Sequence, residues 1–318
     1  YPNLEIIVIN DRSTDRTGEI IEELVKDDSR VFVLHITELP ENWLGKVHAL
    51  HQGVQKASGK WLLFTDADVH LSEGVLEQGI SYAENKGLAH LALLPNMVSE
   101  QFIVNCVIST LLRLLLMGLR PWRFQDSSKS EAVGVGGFNL VKRDAFLETP
   151  GFEWLRMEVA DDIGVGYLIK ENGGQTEALF AIDSVRVNWY PSLPALVKGV
   201  EKNAFAQLAQ FTLWKGLLWS FSFLMVLSSL VIVWWMPSYW SGLVWGVFLL
   251  SALICSGKFS QELKINFLAS FFSFFLGELI MSWVILRSTV LGVRRGGLIW
   301  RGTVYNSQAL KDGTKVKF

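Results

Sequence analysis

Polar and apolar positions divide the chain into two differently patterned parts. Over residues 1 to about 100, short apolar runs alternate with segments whose apolar residues recur at helical spacing. Glu5-Ile6-Ile7-Val8-Ile9 reads as a strand entering the polar turn Asn10 to Thr17. Ile20, Ile21, Leu24 and Val25 then mark one face of a helix. Residues 31–36 predict a second strand, and Val47, Leu50, Val54 and Ala57 a second helix closed by Ser58-Gly59. Residues 60–65 predict a third strand, followed by a helix near 73–86 and a strand near 89–94. This alternation predicts an α/β fold on a mostly parallel sheet covered on both faces. Ligands of such sheets bind beyond the carboxyl ends of the strands, where the acidic turns 10–15 and 66–68 both fall.

From about 213 to 291 charge nearly disappears. Segments 213–236, 239–256 and 265–291 are each long enough to cross a hydrocarbon core, and their tryptophans cluster as aromatic belts do. Lys198, Lys202 and Lys215 before the first segment, with Lys258 and Lys264 after the second, put the N-terminal half and a 257–264 loop in the cytoplasm. Three crossings would leave Arg294, Arg295 and Arg301 outside, against the same rule, so one segment is expected not to span. Glu278 inside the third segment is expected to face protein or a polar cavity. The apolar stretch 102–119, interrupted by Asn105 and Arg113, reads as an interfacial helix, with Arg120, Trp122 and Arg123 at headgroup level.

Composition adds two exclusions. A net charge of -2 without a dense Lys/Arg stripe argues against a nucleic-acid partner. Cys106 and Cys255, far apart in apolar runs, read as buried thiols rather than a disulfide framework. The chain opens Tyr1-Pro2-Asn3 and reaches a complete strand at once, which reads as a fragment whose natural N-terminus lies upstream.

The candidate chemistry is acidic. Asp66-Ala67-Asp68 closes the apolar run Trp61 to Thr65, and such a pair suits Mg2+ or Mn2+ carrying a diphosphate. Gly134, Gly136 and Gly137 precede a strand at Asn139-Leu140-Val141; they fit either close backbone approach to a ligand or a bulged strand. Glu158-Val159-Ala160-Asp161-Asp162 opens a helix, where the acidic pair complements the dipole or holds a general base. His70, His48 and His51 form no zinc pattern.

In order, Asn10-Asp11-Arg12-Ser13-Thr14-Asp15-Arg16-Thr17, Gly45-Lys46, Asp66-Ala67-Asp68, Gly136-Gly137 and Asp161-Asp162 resemble membrane-bound family 2 glycosyltransferases. The chain is most similar to the branch with ceramide glucosyltransferase, hopanoid-associated and carotenoid glycosyltransferases, whose tail Trp300-Arg301-Gly302-Thr303-Val304-Tyr305 also resembles. The resemblance implies a GT-A nucleotide-sugar fold, lacking its first strand here, over residues 1–212, membrane helices over 213–292 and a basic tail over 293–318. It implies an inverting hexosyltransferase in which Asp11 contacts the nucleotide base region, while Asp66 and Asp68 hold nucleotide and metal. Asp162 would be the general base and Asp161 would position it. Lys46 would be a phosphate partner or a solvated helix-start lysine.

The implied partners are a nucleotide-sugar donor, UDP-linked, a lipid acceptor and a membrane (a bacterial inner membrane), with Mg2+ or Mn2+ as cofactor. The family's acidic pair is often Glu-Asp, and its Q-x-x-R-W motif is absent; Val200-Glu201-Lys202-Asn203 stands in that region, which favours single transfer. The alternatives are a processive polysaccharide synthase and a non-catalytic nucleotide-sugar-binding scaffold.

Overall fold

The computed structural model describes residues 1, 3–119, 132–235 and 237–316, so the headgroup reading of Arg120, Trp122 and Arg123 lies outside the described residues. The chain forms two compact units: residues 1–95, 121–185 and 313–317 in the first, and 96–120, 186–312 and 318 in the second.

The first unit is mixed α/β. Strands β1 (Ile6–Asp11) and β2 (Val31–Ile36) pair in parallel around helix α1 (Thr17–Leu24). Strand β1 runs two residues further than its apolar core suggests, so Asn10 and Asp11 lie at its end rather than in the turn. Helix α2 (Gly45–Lys56) follows, then strand β3 (Trp61–Phe64), the short strand β4 (Val69–Leu71), helix α3 (Val75–Lys86) and strand β5 (His90–Leu94). Gly87 ends α3 at φ 65, a left-handed cap that releases the chain into β5.

Strands β6 (Asn139–Lys142) and β7 (Thr176–Phe180) complete a four-stranded sheet of order β3-β6-β5-β7. The expectation of a mostly parallel sheet holds with one exception: β3, β5 and β7 share a direction, and β6 lies antiparallel between β3 and β5, pairing Leu62 with Val141 and Leu91 with Leu140. A short apolar run buries equally well in either direction, so its pattern carries no polarity. Leu91, Leu93 and Leu140 from this sheet pack with Phe138 and with Val75, Ile80 and Ala83 of α3. The sheet core thereby fixes the end of β3, which carries the 66–68 turn.

Among the described residues the second unit holds three helices long and apolar enough to cross a membrane: Leu213–Val233, Ser238–Leu263 and Phe267–Arg295. The first two bury only 18% and 17% of their most apolar windows within the protein, so most of that surface needs another apolar environment. The third is 44% buried. It packs on Leu213–Val233 through small residues, with Ser220 and Ser282 hydroxyls 3.0 Å apart and no space for a side chain at Gly216 beside Thr289. The expected 257–264 loop is corrected: the second helix continues to Leu263, and Lys264 ends it at φ 58.

Glu278 faces protein as expected, since Arg113 of the Phe102–Leu119 helix donates to it at 2.9 Å and stacks over the Phe274 ring at 4.0 Å. Asn105 is likewise satisfied, bonding both the N–H (2.9 Å) and the carbonyl (2.8 Å) of Ser99. Glu201 accepts from Arg295 at 2.6 Å and from Arg287, and Lys202 stands over the Trp300 ring at 3.7 Å.

Candidate active site

The end of β3 turns outward while still bonded to the glycine loop: Asp66 N–H donates to Gly136 O (2.8 Å), and the Thr65 hydroxyl donates to Gly137 O (3.0 Å). That registry presses Gly136 against the Asp66 side chain, and a Cβ there would stand 2.5 Å from Asp66 Oδ2. Here the absence of a side chain lets the loop backbone lie against the Asp66 carboxylate.

Helix α2 supplies the cation. Lys46, its second residue, places Nζ 2.9 Å from Asp66 Oδ1 and 3.3 Å from Asp161 Oδ2. Burial alone would lower the Lys46 pKa, but Asp161, Asp66 and Asp162 outweigh it and hold the ammonium above the ordinary lysine range. Lys46 is thus ion-paired, with its side chain 21% exposed. Asp161, with its side chain 4% exposed, opens the Asp161–Glu171 helix beside the positive end of its dipole.

Asp162 is the more open of the pair. Its Oδ2 accepts from Gly136 N–H at 3.1 Å and its Oδ1 from Ile163 N–H at 2.9 Å, which fixes the carboxylate. Behind it, Asn139 Nδ2 donates to the Asp162 carbonyl at 3.1 Å, and Asn139 Oδ1 bonds His90 Nε2. His90 is fully buried, and burial pushes it down to about 4, so it stays neutral and donates from Nε2. Neither His90 nor Asn139 stands out in sequence; the available signal was a histidine inside an otherwise apolar strand.

Lys46, Asp66, Gly136, Asn139, Asp161 and Asp162 thus line one cleft. Asp11 does not line it. Its carboxylate takes Arg12 Nε (2.7 Å) and Nη2 (3.2 Å), with Arg12 at φ 55, and both side chains lie against Gly45, one residue before Lys46. Asp68 is exposed and makes no hydrogen bond or ion pair among the described residues.

No group of three or more His, Cys, Asp or Glu among the described residues is placed to hold a metal ion. The donors at the turn are nevertheless of the right kind. An oxygen-only pair with Asp68 uncommitted fits a hard cation whose remaining positions are filled by phosphate and water.

Residues 1–149 match the family described as Glycosyl transferase family 2. Poly-beta-1,6-N-acetyl-D-glucosamine synthase of Staphylococcus epidermidis is 30% identical over 168 residues, covering 52% of this chain and 39% of that protein. Glycosyltransferase GlyG of Streptococcus pneumoniae is 38% identical over 77 residues, 24% of each chain. The chain therefore spans less than half the length of these curated relatives. Among solved structures, Staphylococcus aureus TarS 1-349 in complex with UDP-GlcNAc aligns over 95% of this chain and 87% of its own, at 11% identity and TM-score 0.37. Glucosyl-3-phosphoglycerate synthase of Mycobacterium tuberculosis, with Mn2+, UDP and glucosyl-3-phosphoglycerate, aligns over 62% and 65%, at 18% identity and TM-score 0.37.

Proposed function

We propose that this chain, whose residues 1–149 are a family 2 glycosyl transferase domain, transfers a sugar from a UDP-linked donor to the hydroxyl of a membrane lipid, inverting the anomeric carbon. The observation that carries this reading is the Lys46 ammonium held between Asp66 and Asp161, with Asp162 in the same cleft. A cation among carboxylates beside an oxygen-donor turn suits a diphosphate leaving group, and a fixed, ionisable carboxylate nearby suits proton removal.

The acceptor oxygen forms its bond to the anomeric carbon as the bond from that carbon to the diphosphate oxygen breaks. The electron pair leaves with the diphosphate, and the acceptor proton passes to an Asp162 carboxylate oxygen. Asp161 positions Asp162 through the helix start they share, and its pairing with Lys46 keeps that start in place. Asp66 and Asp68 would hold Mg2+ or Mn2+, which offsets charge on the departing diphosphate when bound. Asp11, braced by Arg12, would read the base end of the nucleotide.

The exposed apolar helices support a lipid acceptor, since they confine the protein to the medium where such acceptors are found. Lysine placement favours a cytoplasmic 1–212 part in a bacterial inner membrane, with 213–292 in the bilayer and 293–318 as a basic tail.

The test is a donor-by-lipid screen on membranes carrying the protein, with product mass as readout. A glycolipid one sugar heavier, formed only with Mg2+ or Mn2+ and lost in Asp68→Asn, is expected. No product from any pair would overturn the proposal. A processive synthase is the second reading, favoured by the 30% identical poly-N-acetylglucosamine synthase; a ladder of masses would decide for it.

A further inference from the structure

Residues 313–316 return to the loop that carries the acidic pair. Glu158 is buried, 1% exposed, three residues before Asp161. Its Oε1 accepts from Ala160 N–H at 2.9 Å. Its Oε2 accepts from two backbone N–H groups of the terminal segment, Lys315 at 2.6 Å and Val316 at 3.0 Å. Val316 is itself buried, Gly313 lies against Met157 with no room for a side chain, and the Lys315 ammonium stands 5.5 Å above the Trp154 ring. The loop is also held from α2: Leu44 N–H donates to Arg156 O at 2.8 Å, two residues before Lys46 reaches Asp161.

A carboxylate taken out of water requires donors, and N–H groups aimed at an ionised oxygen are among the stronger hydrogen bonds available. Two of the three donors to Glu158 named above come from the terminal segment. Undocking that segment takes two hydrogen bonds from a buried carboxylate, a cost that favours movement of the loop. Docking of the segment and the position of the acidic pair are therefore one equilibrium.

We infer that Glu158 is a positioning residue, through which residues 314–316 hold the 156–162 loop so that Asp162 meets the acceptor hydroxyl. The inference rests on Asp162 being the base. It assigns the C-terminal segment a part in catalysis without contact to substrate.

Four full-length variants and one shortened chain test it. Lys315→Pro deletes one N–H donor to Glu158, whereas Lys315→Ala keeps that donor and deletes the charged side chain. A chain ending at Gly313 removes both donors, and Glu158→Gln weakens the acceptor. Asp162→Asn is the reference. Amide hydrogen exchange over 156–163 is expected to rise about tenfold or more in Lys315→Pro, Glu158→Gln and the shortened chain, and to stay at wild type in Lys315→Ala. In the transfer assay the same three lose about tenfold in kcat with donor KM unchanged.

Equal exchange in Lys315→Pro and Lys315→Ala would overturn the docking. Wild-type kcat in Lys315→Pro, with Asp162→Asn inactive, would overturn the positioning role. Normal transfer by Asp162→Asn would instead remove the functional reading and the positioning role with it, while the exchange result still decides the docking.

Discussion

Lys46 Nζ lies 2.9 Å from Asp66 Oδ1, and this contact ties the turn after β3 to the first turn of α2. The same ammonium reaches the nearly buried Asp161, so one side chain joins three elements. Lys46→Met leaves Asp161 without its cation, and removing one partner of a buried pair costs roughly 3 kcal/mol. The expected outcome is a lower Tm in detergent together with at least a hundredfold lower transfer. A variant with wild-type Tm and rate would separate Lys46 from both fold and site.

The pH behaviour of this pair follows from its sign. Lys46 is held above the ordinary lysine range, so its contribution is complete below the unfolded value, about 10.4, and fades only as pH rises through the higher folded value. No loss of activity between pH 7 and 9 is expected from Lys46. A pH–rate limb in that window that vanishes in Lys46→Arg would contradict this.

Gly136→Ala puts a Cβ 2.5 Å from Asp66 Oδ2 and must push that carboxylate aside. Donor KM and the Mg2+ or Mn2+ concentration for half-maximal rate are both expected to rise, with the fold intact by circular dichroism. Chelation with EDTA should abolish the residual rate. Unchanged metal dependence in Gly136→Ala would show that Asp66 does not hold the ion.

His90 supplies an acid-stability prediction. Burial depresses it to about 4, against about 6.5 when unfolded, so the unfolded chain binds the extra proton first. Its stabilising neutral state is complete above pH 6.5 and is lost as pH falls towards 4, by up to roughly 3 kcal/mol. His90→Gln, which can still donate to Asn139, should flatten the fall in Tm between pH 6.5 and 4. Parallel melting curves for the two proteins would refute the assignment.

Much of this was legible in sequence because it follows from local rules. The alternation that marks β1, β2, β3 and β5 needs only side-chain periodicity, and the polar turns announce where it stops. Lys46, Asp66, Asp161 and Asp162 could be singled out because they fall at strand and helix ends in the order that resembles a known family. What stayed hidden depends on pairing across the chain. The direction of β6 is set by its neighbours and not by its own Asn139-Leu140-Val141-Lys142. His90 reads only as a strand residue until its ring is seen bonded to Asn139, 49 positions away. Glu158 gave no sign of its partners, which come 157 and 158 residues later. Glu278 was the reverse case: a lone carboxylate in an apolar helix signals a partner, though not that the partner is Arg113.

The most direct measurement is the rate of sugar transfer by Asp162→Asn in membranes, beside a binding assay for the UDP-linked donor. The expected result is loss of at least a thousandfold in kcat with donor affinity retained, because the substitution removes a proton acceptor and keeps the Lys46 ion pairs with Asp66 and Asp161. Transfer to the lipid acceptor at the wild-type rate would contradict the assignment of Asp162 as the base.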